Sequence, residues 1–342
     1  MPTIKDVASR AGVSVGTVSN VLSGSVTVTD DLRTRVEEAI AELDYRPNLI
    51  ARSLKKRQTN TLGMIISDIV NPFFPEMVRG AEDAAAAAGY ILTTFNTDDR
   101  VERERQVFEL LRSRRVDGLL LVVALVRGDL SHVRQAVEEG LPIVCLDRRP
   151  EGLDLDSVTV DNAGGVRQCI EHLIERGHRR IAVITGGQGK YITQVRLDGY
   201  LEAMAAAGIP LDPNLIRDGN FRRESGFAIA KELLTSPNPP TAIFSCNHIM
   251  NLGVVQAVEE LGLESPRDIT LATFDRLKLT DVFRPHMTSV EQPSYEIGAQ
   301  GTRLLIERIK NPAEGAPRVH IQLPTQLRIA ESSSGRLSAA GN

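Results

Sequence analysis

The sequence predicts an α/β protein in three parts: a small all-α head, a short basic connector, and a two-lobed core of parallel sheets flanked by helices. Three observations carry that expectation. Residues 1–46 show only helical periodicity. From Thr61 onward, apolar runs of strand length alternate with helical segments, the pattern of βα units and a parallel sheet. The alternation then restarts near residue 180 with a faint internal echo, since RGAEDAAAAAGY (79–90) resembles RLDGYLEAMAAAGI (196–209), each after a strand. Two similar units in series imply two lobes around a cleft, and ligands of such sheets bind beyond the carboxyl ends of the strands.

Composition narrows the class. At 342 residues the chain exceeds one small core and fits two or three domains. No apolar run approaches the roughly 20 residues that span a bilayer. The start, MPTIKDVASR, enters a charged periodic pattern with no apolar signal-peptide core, so a cytoplasmic location is expected. Cys145, Cys169 and Cys246 are scattered, with no CxxC pair. They read as small buried hydrophobes in a reducing compartment, with no disulfide framework and no metal site. The net charge of −4 is uneven, +2 over residues 1–60 and −6 over the rest. The run Arg52, Lys55, Lys56, Arg57 has no acid inside it.

Taken in order, Ile4, Val7, Ala8 and Ala11 fall at i, i+3, i+4 and i+7, and Thr3 stands as an N-cap. The next stretch, GVSVGTVSNVL, has poor helix propensity, yet Val18, Val21 and Leu22 mark a helical face. Gly12 suits a left-handed C′ position and Ser14 an N-cap, giving helix, glycine turn and a second helix from about Val15 to Ser23. Ala8 is expected to lie against Val18. This is a helix-turn-helix, whose second helix enters the major groove of DNA. Leu32, Val36, Ala39, Ile40 and Leu43 form a third helix, ended by Pro47-Asn48, and a basic connector runs from Leu49 to Gln58.

In the core, LGMIIS, GYILTTF, DGLLLVV, LPIVCLD and SVTV read as strands, with helices over Phe74–Gly89, Arg100–Arg114 and Leu130–Glu139. RRIAVITG, a helix over Gln194–Ala207, GFAIAKELL, TAIFSCN, NLGVVQAVEELG and ITLATFD continue the series. The tail ESSSGRLSAAGN is small and polar and is expected to be disordered.

No Gly-rich phosphate loop, Ser-His-Asp set or metal-spaced cluster is present, and Gly186–Gly189 (GGQG) lacks a Walker lysine-hydroxyl pair. His172, His178 and His286 are scattered and read as surface or helix-end residues. The expectation is a non-enzyme with no cofactor and no metal.

TIKDVASRAGVSVGTVSNVLSG and RVEEAIAELDYRPNLIARSL resemble the DNA-binding head of the lactose-repressor (LacI) family of bacterial regulators. The likeness continues through NPFFPEMVRG, RRVDGLLLV, VTVDN, ERGHRRIAVITG, RLDGY, PPTAIFSCN, NLGVVQAVEELGL and ITLATFD to LRIAESS, essentially the whole chain. It implies a homodimer of chains. Each has a helix-turn-helix head (1–46), a hinge helix or linker (47–60) and a periplasmic-binding-protein-like core (61–330). The N-lobe would take about 61–160 plus 293–322, the C-lobe about 161–292 plus 323–330, and the tail 331–342. No leucine heptad follows Arg328, so dimers rather than coiled-coil tetramers are expected.

By position in the resemblance, Val15, Gly16 and Asn20 match base-reading residues. Val15 offers apolar contact, as to a thymine methyl, Gly16 almost nothing, and Asn20 a bidentate pattern suited to adenine. Ser14, Thr17 and Ser19 suit phosphate oxygens, which position the helix. Leu54 matches a leucine that wedges into the minor groove, with Lys55 beside it, and a dimer implies an approximately palindromic operator.

The residues matching effector contacts are Ser67, Phe73, Phe74, Asp147, Arg196, Phe221, Asn247 and Asp275. Aromatic faces can stack on a sugar, carboxylates accept hydroxyl protons, and an arginine gives a fork of donors, so a monosaccharide leads. Two alternatives share the position. A purine would use the three phenylalanines, although Lys190 and Ile192 depart from the purine-binding branch. A sugar phosphate would meet Lys190, Arg196, Arg222 and Arg223. Either would act as a corepressor. In a further departure, His248 stands where most members have aspartate, which puts the role of Asn247 in question. The different-class alternative, a solute-binding protein for transport, would need a signal peptide and no DNA head. Effector in the cleft would shift one lobe against the other and alter the spacing of the hinge segments, and inducer and corepressor versions use the same parts.

Overall fold

The computed structural model describes residues 2–22, 28–45, 59–114, 116–187, 191–276, 285–312 and 315–334. Leu54, Lys55, the expected hinge helix and Lys190 lie outside the described residues. The chain divides into two compact units, 1–59 and 60–342.

The first unit has α1 (Ile4–Ala11), α2 (Val15–Leu22) and α3 (Asp30–Glu42). Thr3 caps α1 reciprocally: its side chain accepts from Asp6 N–H, and the Asp6 carboxylate accepts from Thr3 N–H at 2.7 Å. The Thr3 N–H, and then the Thr3 hydroxyl at 2.8 Å, donate to the Asp6 carboxyl and hold it below the usual carboxylate range. Gly12 adopts φ 65°, the left-handed turn that a side chain would strain. Arg35 of α3 donates to the Ala11 carbonyl at 2.7 Å, so the third helix satisfies a carbonyl at the α1 terminus. Val7, Ala8, Ala11, Val18, Val21, Val36 and Ala39 bury together, which places Ala8 and Val18 in one core.

The second unit holds two six-stranded sheets. The N-lobe begins with β1 (Thr61–Ile66), α4 (Phe73–Ala87), β2 (Ile91–Asn96), α5 (Val101–Arg114), β3 (Gly118–Leu121), α6 (Ser131–Glu138), β4 (Ile143–Leu146) and β5 (Asp156–Val160). The chain crosses to α7 (Asn162–Glu175), β6 (Ile181–Thr185), α8 (Tyr191–Ala206), β7 (Ile216–Asp218), α9 (Arg223–Leu234), β8 (Ala242–Ser245), α10 (His248–Glu260), β9 (Thr270–Phe274) and β10 (Thr288–Glu291). It returns for α11 (Ser294–Lys310) and β11 (His320–Leu323), then crosses again for β12 (Gln326–Arg328).

The sheet orders are β11-β5-β4-β3-β1-β2 and β12-β10-β9-β8-β6-β7. The two orders correspond strand for strand, except that β11 runs parallel to β5 whereas β12 runs antiparallel to β10. The two alanine-rich stretches that resemble each other in sequence therefore lie in α4 and α8, each following the strand second from one edge of its sheet. The central strands β1, β3, β4, β6, β8 and β9 are buried on both faces and read as largely apolar runs, as parallel strands between helices must, whereas the edge strands β2, β7, β11 and β12 are more exposed and more polar. Across the N-lobe, Gly80 of α4 and Gly298 of α11 bring two helix backbones together, since a Cβ at either would overlap the other helix's main chain.

Two sequence expectations are corrected. The tail does not begin at residue 331: Glu331–Ser333 form a 3-10 turn with Ser332 and Ser333 fully buried. Small polar composition hid this, because the serines are satisfied one by one, Ser332 by Thr288 N–H and the Leu271 carbonyl, Ser333 by Thr288 and His172. Of the two readings given for His172 and His178, surface or helix end, the surface one fails: His172 lies in the last turn of α7 and His178 just beyond it, and both are buried. His172 is buried against Ser333, and His178 is buried with its Nδ1 on Thr241 at 3.0 Å. Burial takes the pKa of His178 down to about 4. All three cysteines are fully buried, and burial pushes their thiols up to about 12.

Candidate functional site

On the head, α2 presents its first turns to solvent. Ser14, Val15, Gly16 and Asn20 are exposed and Thr17 and Ser19 half-buried, while Val18 and Val21 face the core. Val15 and Ser19, like Gly16 and Asn20, are four residues apart and share a face. Ser14 is engaged as a cap: its Oγ accepts from Thr17 N–H at 3.0 Å and lies 2.9 Å from the Thr17 hydroxyl. The β-branched and glycine residues of α2 are thus divided between a buried seam and an outward surface.

In the core, one cleft between the lobes gathers every effector residue expected from the sequence: Ser67, Phe73, Phe74, Asp147, Arg196, Phe221, Asn247 and Asp275. Each lobe supplies an aspartate from the same turn. Asp147 follows β4 and Asp275 follows β9, both left-handed (φ 67° and 68°), and each N–H donates to the next strand, to the Val158 and Val290 carbonyls. Aspartate tolerates this conformation because its short side chain can bond locally. Burial raises the pKa of Asp147, partly opposed by Arg148 and Arg196.

Arg148 was not singled out by the sequence reading, yet it is the buried cation of the N-lobe wall. It donates to Ser67 Oγ at 2.7 Å and pairs with Asp99 at 3.2 Å and Asp147 at 3.4 Å. Burial opposes its charge, but Asp99 and Asp147 outweigh that and raise its pKa. The C-lobe cation is Arg196, from α8. Its Nε donates to Asn162 at 2.9 Å, its Nη1 to the Cys246 carbonyl, and its guanidinium lies 3.6 Å over the Phe274 ring. Asn247 is the N-cap of α10, its Oδ1 accepting from Met250 N–H at 2.9 Å, which leaves its amide N–H groups to offer a ligand. Gln292, also unforeseen, donates to Asp275 Oδ1.

The aromatic wall is built differently on each side. Phe73 and Phe74 form an edge-to-face pair 5.0 Å apart and also pack into the N-lobe core. Phe221 sits in a left-handed loop with Asn220 (φ 57° and 49°), its ring in the space that a Cβ on Gly186 would occupy. At the rim, Arg222 of the C-lobe and Asp98 of the N-lobe approach to 3.6 Å across the cleft.

Charge is the cleft's clearest chemical statement. Five carboxylates line it (Asp68, Asp98, Asp99, Asp147, Asp275) against three guanidinium groups, and all three arginines already have protein partners. Arg223 is on the surface, bonded to Gln256. The cleft accepts protons and offers an anion little. Among the described residues there is no cluster able to hold a metal ion and no helix long and apolar enough to cross a membrane.

A helix-turn-helix head in one chain with a two-lobed ligand-binding core defines a class of ligand-responsive DNA-binding proteins. Residues 3–48 match the family described as bacterial regulatory proteins, lacI family, and residues 59–331 match periplasmic binding proteins and the sugar binding domain of the LacI family. The chain belongs to the LacI family of bacterial regulators, and is a sequence-specific DNA-binding regulator of transcription. Its relatives include the Ribose operon repressor of Escherichia coli K12, 37% identical over 94% of this chain and 97% of that one. The HTH-type transcriptional repressor PurR of Pasteurella multocida is 34% identical over 98% and 100%. Among solved structures, the lac repressor dimer bound to operator and an anti-inducer aligns with a TM-score of 0.85 at 26% identity, covering 97% of this chain and 99% of that one. A transcriptional regulator CelR–cellobiose complex aligns at 0.73 with 34% identity, covering 97% and 100%.

Proposed function

We propose that the protein is a homodimeric, cytoplasmic, non-enzymatic repressor whose operator affinity is set by a neutral sugar ring in the interlobe cleft. The net-negative, proton-accepting cleft carries this reading. A sugar donates hydroxyl protons to Asp147 and Asp275, accepts from Arg196 and Asn247, and lays its C–H face on an aromatic ring. A sugar phosphate fits poorly where acids outnumber bases and every arginine in the cleft has a carboxylate or other protein partner. The relatives named for ribose and the neighbour holding cellobiose agree with a carbohydrate.

On DNA, Asn20 reads a base edge, Val15 makes apolar contact, Gly16 allows close approach, and Ser14, Thr17 and Ser19 sit toward phosphates. Leu54 and Lys55 act at the minor groove between two half-sites. Site selection from random duplexes tests both halves, with affinities for the selected duplex then measured with and without D-ribose, D-glucose, hypoxanthine and ribose 5-phosphate. Asn20→Ala is expected to relax one position per half-site by about 1–3 kcal/mol. A sugar, and neither the purine nor the phosphate, is expected to change the affinity. Unchanged base preference would remove Asn20 from the interface, and a response to hypoxanthine alone would replace the sugar.

A further inference from the structure

Of the three helices of the head, α2 depends most on its surroundings. It has eight residues, four of them β-branched (Val15, Thr17, Val18, Val21) and one a glycine, with no charged side chain. A helix of that length and composition does not hold itself together in water, so its order and its direction are imposed from outside. Between α1 and α2 lie Gly12, Val13 and Ser14, and the backbone of those three residues sets the direction in which α2 leaves α1.

That turn is fastened on both sides. Among its donors, Val13 N–H returns to the Ala8 carbonyl at 3.0 Å and Gly12 N–H to the Ser9 carbonyl at 3.3 Å. Its acceptors are bridged by one guanidinium: Arg35 Nη2 donates to the Ala11 carbonyl at 2.7 Å and more weakly to the Gly12 carbonyl at 3.4 Å. Gly12 makes the seat for it, since a Cβ there would stand 2.8 Å from Arg35 Nη2. The glycine thus answers two demands, a left-handed φ of 65° and room for the guanidinium.

Arg35 is not held by an ion pair of hydrogen-bonding length. Asp31, one turn earlier on α3, is 4.0 Å from its Nη1. A cation donating to the free carbonyls of a helix C-terminus makes a charge-assisted bond that the helix dipole favours. The other tie between α1 and α3 is different in kind. Arg10 and Glu42 form an exposed pair between side chains, of the sort that contributes little, and it does not touch the turn.

Resting on the placement of α2 in the major groove, we infer that Arg35 is a positioning residue for operator recognition. It fixes the angle between α1 and α2, and through that angle the pose of Val15, Gly16 and Asn20 against the bases, without contacting DNA itself. Base edges demand an aligned helix, whereas attraction to phosphates tolerates a loosened one. Loosening the turn therefore weakens specific binding far more than non-specific binding.

Fluorescence anisotropy of the full chain tests this, on the selected operator and on a random duplex of equal length, over a series of KCl concentrations. Arg35→Met should weaken operator binding by about ten-fold or more, change random-duplex affinity by about two-fold or less, and leave the salt dependence unchanged. Arg35→Lys, which returns a cationic donor to the same carbonyls, should recover most of the loss. Glu42→Gln, which removes the exposed tie, should cost about two-fold or less. Hydrogen exchange in free Arg35→Met should quicken at the α2 amides of Thr17 and Val18, while Val7 and Ala8 of α1 stay protected. A logarithmic salt slope smaller by about one would make Arg35 a phosphate contact. Equal losses on both duplexes would make it a support of the whole head. Either result overturns the proposal, as does wild-type operator affinity in Arg35→Met. The major-groove reading fails separately, through unchanged base preference in Asn20→Ala.

Discussion

The two lobes are the same topology used twice, and their cleft walls show where duplication stopped. Each lobe delivers an aspartate from a left-handed turn after the equivalent strand, β4 or β9, and each follows it with an arginine. In the N-lobe that arginine, Arg148, turns inward and is buried among Asp99, Asp147 and Ser67. In the C-lobe its counterpart, Arg276, pairs with the half-buried Glu291, and the cleft cation comes instead from helix α8 as Arg196. The residues after the first strands differ in the same way: Ser67 bonds Arg148, whereas Gly186 makes room for Phe221. The backbone fixes where an acid can stand, while the choice of base is local to each lobe.

The sharpest way to break this comparison is to remove the two equivalent arginines. Arg148→Met strands buried carboxylates without their cation and is expected to cost roughly 3–5 kcal/mol. Arg276→Met removes a half-exposed pair and is expected to cost about 1 kcal/mol or less. Urea unfolding of the two variants reads the difference, and equal losses would mean that the lobes bury their arginines alike.

Acid should distinguish the lobes next. The C-lobe holds His178, whose pKa burial lowers from 6.5 to about 4, and His172, lowered in the same direction. A histidine with a depressed folded pKa is protonated first in the unfolded chain, so its neutral form stabilises the fold fully above pH 6.5. That contribution is lost as pH falls toward 4, about 3 kcal/mol for His178. Stability measured between pH 7 and 4 should fall, and His178→Gln should flatten the slope. A slope unchanged by the substitution would exclude His178 as its source.

A smaller effect is expected at the aromatic wall. Gly186→Ala places a methyl where the Phe221 ring lies, and should weaken sugar binding by about ten-fold, near 1.4 kcal/mol, with little change in DNA affinity without sugar. Wild-type sugar affinity in that variant would remove Phe221 from the binding wall.

Much of this was readable beforehand, for identifiable reasons. The head announces itself through local chemistry: Thr3 caps, Gly12 turns, and Val18 and Val21 face inward as their spacing requires. The cleft residues were legible through the family resemblance, and their places at strand ends agree with where parallel sheets bind ligands. Arg148 does carry a signal in the sequence: LPIVCLDRRP and ITLATFDRLK both have strand, aspartate and arginine, a repeat stronger than the alanine-rich one. Gln292 and Asn162 had no such signal, since their roles come from contacts with residues 17 and 34 positions away. The buried serines after residue 330 and the buried histidines were misread for a related reason: polarity predicts exposure only until a specific partner is found.

The three cysteines have a practical consequence. Each is fully sealed, with its thiolate form suppressed by burial. The folded protein is therefore silent toward maleimide chemistry without any change to its native thiols. Single reactive cysteines at Asp98 and Arg222, on opposite lips of the cleft, would carry a dye pair whose separation follows opening and closure one molecule at a time.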